Sequence, residues 1–205
     1  MSESATLKIF SSVVKMRGEG IDVTSLCVGE PDFPPPREVI SATVKAAEEG
    51  MTKYTGNAGI LSLREAIADD LKKRKGVAYA PDEILVSNGA KQSCFQAIFA
   101  TVAEGDKVII PSPYYPSYPE MVKLLGGIPV ILDTKIENDY KVTANELEEC
   151  LAKNGDAKLL IFCNPSNPTG VLHTQSDLEA IARVLKDSKF EDINVLTDEI
   201  YERWV

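Results

Sequence analysis

The sequence predicts an α/β fold, a mostly parallel sheet with helices on both faces, and three observations carry that reading. From residue 83 onward, short apolar runs alternate with segments of helical periodicity, the pattern of strand–helix–strand crossovers. Leu159–Cys163 is an unbroken run of five apolar residues, as a strand buried on both faces requires. Loops rich in proline, asparagine and glycine follow these runs, on the side of an open α/β sheet where ligands bind. With 205 residues, 44% of them hydrophobic, the chain can bury a core of ordinary size.

Leu7, Ile9, Phe10, Val13, Val14 and Met16 mark an amphipathic helix over Ala5–Gly20, followed by a short strand, Val23–Val28. Gly29–Pro36 is a loop, because its prolines remove backbone donors and its glycine permits unusual dihedrals. A helix over Arg37–Glu49 closes at Gly50, a loop spans Lys53–Gly59, and a helix over Leu61–Lys75 stops at Gly76. Strands are then expected at Glu83–Ser87, Lys107–Pro111, Ile128–Leu132, Leu159–Cys163 and Ile193–Thr197. Helices fall between them at Lys91–Thr101, Tyr118–Leu125, Thr143–Ala152 and Ser176–Lys186. Thr143-Ala144-Asn145-Glu146 and Thr174-Gln175-Ser176-Asp177 carry the capping-box signature of a helix start. The last residues, Asp198 to Val205, end on apolar side chains without a capping glycine, so the chain is expected to be cut rather than finished.

Composition narrows the function. Lys and Arg number 22 against 31 Asp and Glu, and the net charge of −9 argues against nucleic acid or an anionic membrane as main partner. No apolar run approaches a membrane span, and Met1-Ser2-Glu3-Ser4 lacks the basic and apolar regions of a signal peptide. The four cysteines, Cys27, Cys94, Cys150 and Cys163, are scattered without a CxxC spacing, which fits a reducing, cytosolic compartment and no zinc site. The single histidine, His173, excludes a multi-histidine metal centre.

Four strand ends carry chemistry. Ser87-Asn88-Gly89-Ala90-Lys91 joins a strand to a helix, so free N–H groups at the helix start suit a phosphate, although a glycine there also serves packing. Tyr115, between Pro113 and Pro116, offers a stiff aromatic plate, whereas Tyr114 and Tyr118 are expected to pack onto the sheet. Asn164 and Asn167 each precede a proline and are held extended past the strand end, where an amide suits a polar oxygen on a small ligand. Asp198, at the end of an apolar strand, requires a cation or caps a following helix, in which Tyr201 would share its face. A phosphate cradle, an aromatic plate, an amide and an acid–phenol pair together describe a site for pyridoxal 5′-phosphate.

At this point the sequence resembles the class I pyridoxal-phosphate aminotransferases of fold type I, near the aspartate aminotransferase-like branch. The resemblance rests on Val28-Gly29-Glu30-Pro31-Asp32-Phe33, Lys53-Tyr54 with Gly59, Ser87 to Gln92, Ser112-Pro113-Tyr114-Tyr115, Asn164–Gly170 and Asp198-Glu199-Ile200-Tyr201, all in family order. It implies a fold type I large domain over residues 46–205 that lacks its last strands, preceded by a small-domain segment and substrate loop over residues 1–45. The resemblance also implies that Gly89, Ala90 and Lys91 hold the phosphate and that Tyr115 stacks on the ring. Asn167 and Tyr201 would bond the ring hydroxyl, and Asp198 would keep the ring nitrogen protonated. Gly29 would approach the substrate carboxylate, with Tyr115 and Asn167 also facing the substrate, and Tyr54 would reach the phosphate of a partner subunit in a homodimer. Cis peptides are implied at Ser112–Pro113 and Asn167–Pro168.

Family members anchor the cofactor on a lysine downstream of Asp-Glu-Ile-Tyr and bind the substrate carboxylate with an arginine further on; neither position lies in residues 1–205. Ser188-Lys189 precedes Asp198 and is no substitute, and Lys91 reads as a helix-start residue. The chain is therefore expected to be the amino-terminal half of a cytosolic aminotransferase acting between an amino acid and a 2-oxo acid, and inactive alone. In the family's sheet two later strands lie between the first and fifth strands found here, so Glu83–Ser87 should stand apart from the others. Two alternatives stay open: a fold type I lyase, of the aminocyclopropane-carboxylate synthase or carbon–sulfur lyase kind, and a non-catalytic truncated form that binds a partner chain.

Overall fold

A computed structural model describes residues 5–27, 29–186, 190 and 192–204; Val28, Ser188, Lys189 and Val205, named above, and residues 1–4 lie outside the described residues. The chain divides into two compact units, one up to Gly56 and one from Asn57.

The first unit holds helices α1 (Ala5–Gly18) and α2 (Arg37–Glu48), both close to their expected bounds. The expected strand Val23–Val28 is not formed: the described part, residues 23–27, has no ladder partner. Val23, Thr24 and Leu26 suit a strand, but a strand exists only where another strand pairs with its N–H and C=O groups.

The second unit runs α3 (Leu61–Lys75), α4 (Ala90–Thr101), β1 (Lys107–Ser112), α5 (Ser117–Leu124), β2 (Ile128–Asp133), α6 (Ala144–Lys153), β3 (Ala157–Cys163), α7 (Gln175–Leu185) and β4 (Asn194–Asp198). Among the described residues the sheet has four strands in the order β2-β1-β3-β4, all parallel. Glu83–Ser87 is a correction to the five strands expected. Pro81–Glu83 is a 3₁₀ turn, and residues 84–87 are extended but unpaired, their one described backbone bond running from Val86 N–H to Ala58 O at 3.0 Å. Their separation from the sheet is what the resemblance implied.

Alternation along the central strands divides the core between two faces. Val108 and Ile110 of β1 and Leu159 and Ile161 of β3 pack with Cys94, Ile98 and Val102 from α4 and its end, and with Met121 and Val122 of α5. Ile109, Leu160 and Phe162 pack on the other face with Leu147 and Leu151 of α6 and Ile181 of α7. Each such side chain buried contributes about 1.5–3 kcal/mol, so these two layers fix the strand ends that carry the loops. Both capping boxes form: Thr143 and Thr174 accept the N–H groups of Glu146 and Asp177, whose carboxylates accept back.

α3 is attached differently. Ala68 is its one buried residue, and Gly76, in the left-handed region at φ 70°, ends it. The helix is tied to the segment after β4 by ion pairs: Arg74 with Glu202 at 3.1 Å, Lys75 with Glu202 at 2.8 Å and with Glu199, and Asp70 with Arg203 at 2.8 Å.

Candidate functional site

The parallel register brings the strand ends together. Cys163 is opposite Asp198, and Asn164 N–H donates to Asp198 O at 3.0 Å, so the loop after β3 and the residue closing β4 form one ledge. Beside it lies a cleft of about 330 Å³ lined by Gly89, Ala90, Lys91, Cys94, Tyr115, Tyr118, Met121, Asn167, Asp198, Ile200 and Tyr201. Seven of the sequence-derived candidates are thus collected around one cavity of a size that suits a small ligand. Gly29 and Tyr54 belong to the first unit, where both are exposed.

Gly89 is the N-cap of α4, with φ 82° and open space where a Cβ would stand. The glycine permits the turn and leaves the helix start uncovered. No side chain caps the helix; Asn88 N–H goes to Gln92 Oε1 at 2.7 Å and Gly89 N–H to Ser87 O at 2.9 Å. The next N–H groups, of Ala90 and Lys91, have no described partner, and the helix dipole adds partial positive charge there. Lys91 Nζ stands 5.5 Å from the centre of the Tyr115 ring.

Tyr115 is half-buried and meets Tyr118 edge-on, with ring centroids 5.5 Å apart and planes at 81°. Tyr114 packs against the core as expected. Across the cleft, Asn167 Nδ2 donates to the Tyr201 hydroxyl at 3.1 Å, fixing both groups side by side. Three X-Pro peptides are cis: Ser112–Pro113 and Asn167–Pro168, as the resemblance implied, and also Asn164–Pro165.

Asp198 departs from expectation. No helix follows it among the described residues: residues 200–203 form turns, and Ile200 N–H donates to Asp198 Oδ1 at 3.2 Å. Its other oxygen accepts the Tyr118 hydroxyl at 2.6 Å and the Cys94 thiol at 3.7 Å. Burial, followed by the charge of Asp198, pushes the Cys94 thiol up to about 12, and burial with the Asp198 bond pushes the Tyr118 phenol up as well. Both remain protonated donors at neutral pH. Tyr118 and Cys94 are residues that sequence reasoning missed. A tyrosine after a proline-rich loop carries the same signal whether it packs or bonds, and Cys94 shows only that it shares a buried helical stripe with Ile98.

Asn164 also differs from its twin. Its Oδ1 accepts the His173 N–H at 3.0 Å and lies 3.4 Å from His173 Nδ1, while His173 Nε2 accepts the Val142 N–H at 3.0 Å. The lone histidine is buried, and burial pushes its pKa down. The described residues contain no cluster of metal-ligating side chains and no helix long and apolar enough to cross a membrane.

The cleft therefore offers unpaired N–H groups at a helix start, an aromatic face, an amide–phenol pair and a carboxylate, a donor set that fits pyridoxal 5′-phosphate. A family model described as aminotransferase class I and II matches residues 21–205. Members of that family use pyridoxal phosphate. A bifunctional aspartate aminotransferase and glutamate/aspartate-prephenate aminotransferase of Petunia hybrida is 44% identical over 199 residues, 97% of this chain and 41% of that protein. An aspartate aminotransferase of Bacillus sp. (strain YM-2) is 39% identical over 203 residues, 99% of this chain and 50% of the relative. The solved structure of the Thermus thermophilus aspartate aminotransferase with maleate superposes with a TM-score of 0.92 at 37% identity, covering 98% of this chain and 52% of that one. The chain spans about half the length of the curated relatives it matches. On the match over residues 21–205, this chain belongs to the class I and II aminotransferase family.

Proposed function

We propose that this chain supplies the cofactor-binding half of a cytosolic, homodimeric aminotransferase that moves an amino group between an amino acid and a 2-oxo acid, with aspartate as the first donor to test. By the family division residues 1–45 are the small-domain segment and substrate loop and residues 46–205 the incomplete cofactor-binding domain, a boundary that falls within α2 and ahead of the division after Gly56 between the compact units. The observation that carries the reading is the convergence of Gly89, Ala90, Lys91, Tyr115, Asn167, Asp198 and Tyr201 on one cleft.

The backbone at Gly89-Ala90-Lys91 holds the phosphate, the Ala90 and Lys91 N–H groups donating to it across the open turn at Gly89, and the helix dipole and the Lys91 charge are complementary to it. Tyr115 lies against the ring face. Asn167 and Tyr201, already bonded to each other, hold the ring hydroxyl. Asp198 holds the proton on the ring nitrogen. When bound, the cofactor supplies an electron sink for the electron pair left on the amino acid's α-carbon. Tyr115 and Asn167 border the substrate; for Gly29 the resemblance implies a substrate contact, and for Tyr54 a contact with the phosphate of the second subunit.

The test adds pyridoxal 5′-phosphate to the 205-residue chain and follows its visible absorbance before and after borohydride, with mass spectrometry to locate any adduct. Reversible, saturable binding that is weakened about tenfold or more, but still measurable, in Asp198→Asn and Tyr115→Ala, without stoichiometric labelling of one lysine, is the expected result. Binding unaffected by either substitution, or one lysine labelled stoichiometrically with a spectrum that responds to amino acids, overturns the reading.

A further inference from the structure

Tyr118 occupies an unusual place. It is 3% exposed, its ring lies within the apolar layer between α4, α5 and the sheet, and its hydroxyl ends on Asp198 Oδ2 at 2.6 Å. The same ring presents its face or edge to Tyr115 with centroids 5.5 Å apart. One buried side chain thus touches both the aromatic plate, on the loop after β1, and the carboxylate that closes β4. A hydroxyl buried there without a partner would be costly, and a carboxylate facing an apolar layer without donors equally so. Each group therefore fixes the other, and Cys94 adds a longer, weaker bond to the same oxygen at 3.7 Å. Ile200 N–H takes Oδ1, so the carboxylate is gripped from both ends and its rotation about the side chain is blocked.

We propose that Tyr118 is the positioning residue of the site: its hydroxyl, assisted by the Cys94 thiol, holds Asp198 in the orientation from which the carboxylate meets the ring nitrogen. The inference rests on the cofactor reading given above. The Tyr118 hydroxyl acts only through Asp198, and this separates it from the ring, which packs in the core and against Tyr115. Packing belongs to the ring, which Tyr118→Phe retains, whereas positioning belongs to the hydroxyl, which it removes.

Two measurements test this. In the chain without added cofactor, proton NMR should show a slowly exchanging hydroxyl resonance that is absent in Tyr118→Phe and shifted in Asp198→Asn; its absence from the unsubstituted chain overturns the proposal. Next, the dissociation constant of ring-¹⁵N-labelled pyridoxal 5′-phosphate and the chemical shift of its ring nitrogen are measured for the unsubstituted chain, Tyr118→Phe, Asp198→Asn and the double variant. Tyr118→Phe should weaken binding about tenfold, the scale of a lost hydrogen bond to a charged group, and move the ¹⁵N shift. The same substitution in the Asp198→Asn background should change neither by more than about twofold, since the pair is coupled. Equal losses in both backgrounds make Tyr118 a packing residue, and no loss in either removes its role. Both results overturn the proposal while leaving the cofactor reading intact. If Asp198→Asn itself leaves affinity and ¹⁵N shift unchanged, the cofactor reading fails and the proposal falls with it. Cys94→Ala should show the same pattern with a smaller change.

Discussion

Asn164-Pro165 and Asn167-Pro168 are the same dipeptide three residues apart, both with cis peptides, yet they serve opposite sides of the loop. Asn164 turns inward: its amide oxygen satisfies the backbone and ring of the buried His173, and its own N–H reaches Asp198 O. Asn167 turns to the cleft, where its amide nitrogen meets the Tyr201 hydroxyl. One asparagine is part of the framework and the other part of the surface that the framework holds. A repeated motif is thus no repeated function; the partner within reach of each amide decides its job.

Removing the inner amide should have the larger consequence. Asn164→Ala leaves the His173 N–H without its acceptor inside a half-buried loop, and should cost about 2 kcal/mol of stability, read as a lower urea midpoint with unchanged slope. Asn167→Ala should change stability by less than about 0.5 kcal/mol while weakening pyridoxal 5′-phosphate binding several-fold. Similar losses of stability in the two variants would erase the distinction between them.

Acid should separate the two turns next. Burial lowers the pKa of His173, with Asp177 raising it and Lys141 lowering it by their charges. An unfolded histidine takes its proton near about pH 6.5. Between that value and the lower folded one, the unfolded chain binds more protons, so stability rises with pH. The contribution of neutral His173 is therefore full above the unfolded pKa and is lost as pH falls through 6.5 toward the folded value. Urea curves from neutral pH downward should show that decline, and His173→Gln should flatten it; an unchanged slope in the variant would place the titration elsewhere.

The smallest effect belongs to α3. Lys75 and its partners Glu199 and Glu202 are substantially solvent-accessible, and such pairs are weak and screened by salt. Lys75→Met should loosen the segment beyond Asp198 enough to weaken pyridoxal 5′-phosphate binding by no more than about twofold to threefold, and high salt should abolish the difference between the two chains. A larger, salt-insensitive loss would make α3 part of the framework.

Much of this was legible in the residues. The unbroken apolar runs Val108–Pro111 and Leu159–Cys163, the capping threonines Thr143 and Thr174 and the glycine before α4 are local signals, and each of these elements formed within a few residues of its expected bounds. The strand ends also announced Gly89, Tyr115, Asn167 and Asp198, because proline, glycine and a carboxylate at such positions need a reason. Val23–Cys27 and Glu83–Ser87 failed for the complementary reason: strand propensity is a statement about side chains, and pairing requires a neighbour that neither segment has among the described residues.

The sequence by itself determined the order of elements, the two apolar layers and the inventory of groups at the ligand edge, since these follow from periodicity, capping and proline chemistry within short stretches. Only the tertiary structure decided what each polar group meets. Tyr118 and Asp198 are 80 residues apart and bond at 2.6 Å; Val142 and His173 are 31 apart and bond at 3.0 Å. Hydrogen bonds select partners over a few tenths of an ångström, and packing the strands and helices fixes that distance, which no local pattern encodes.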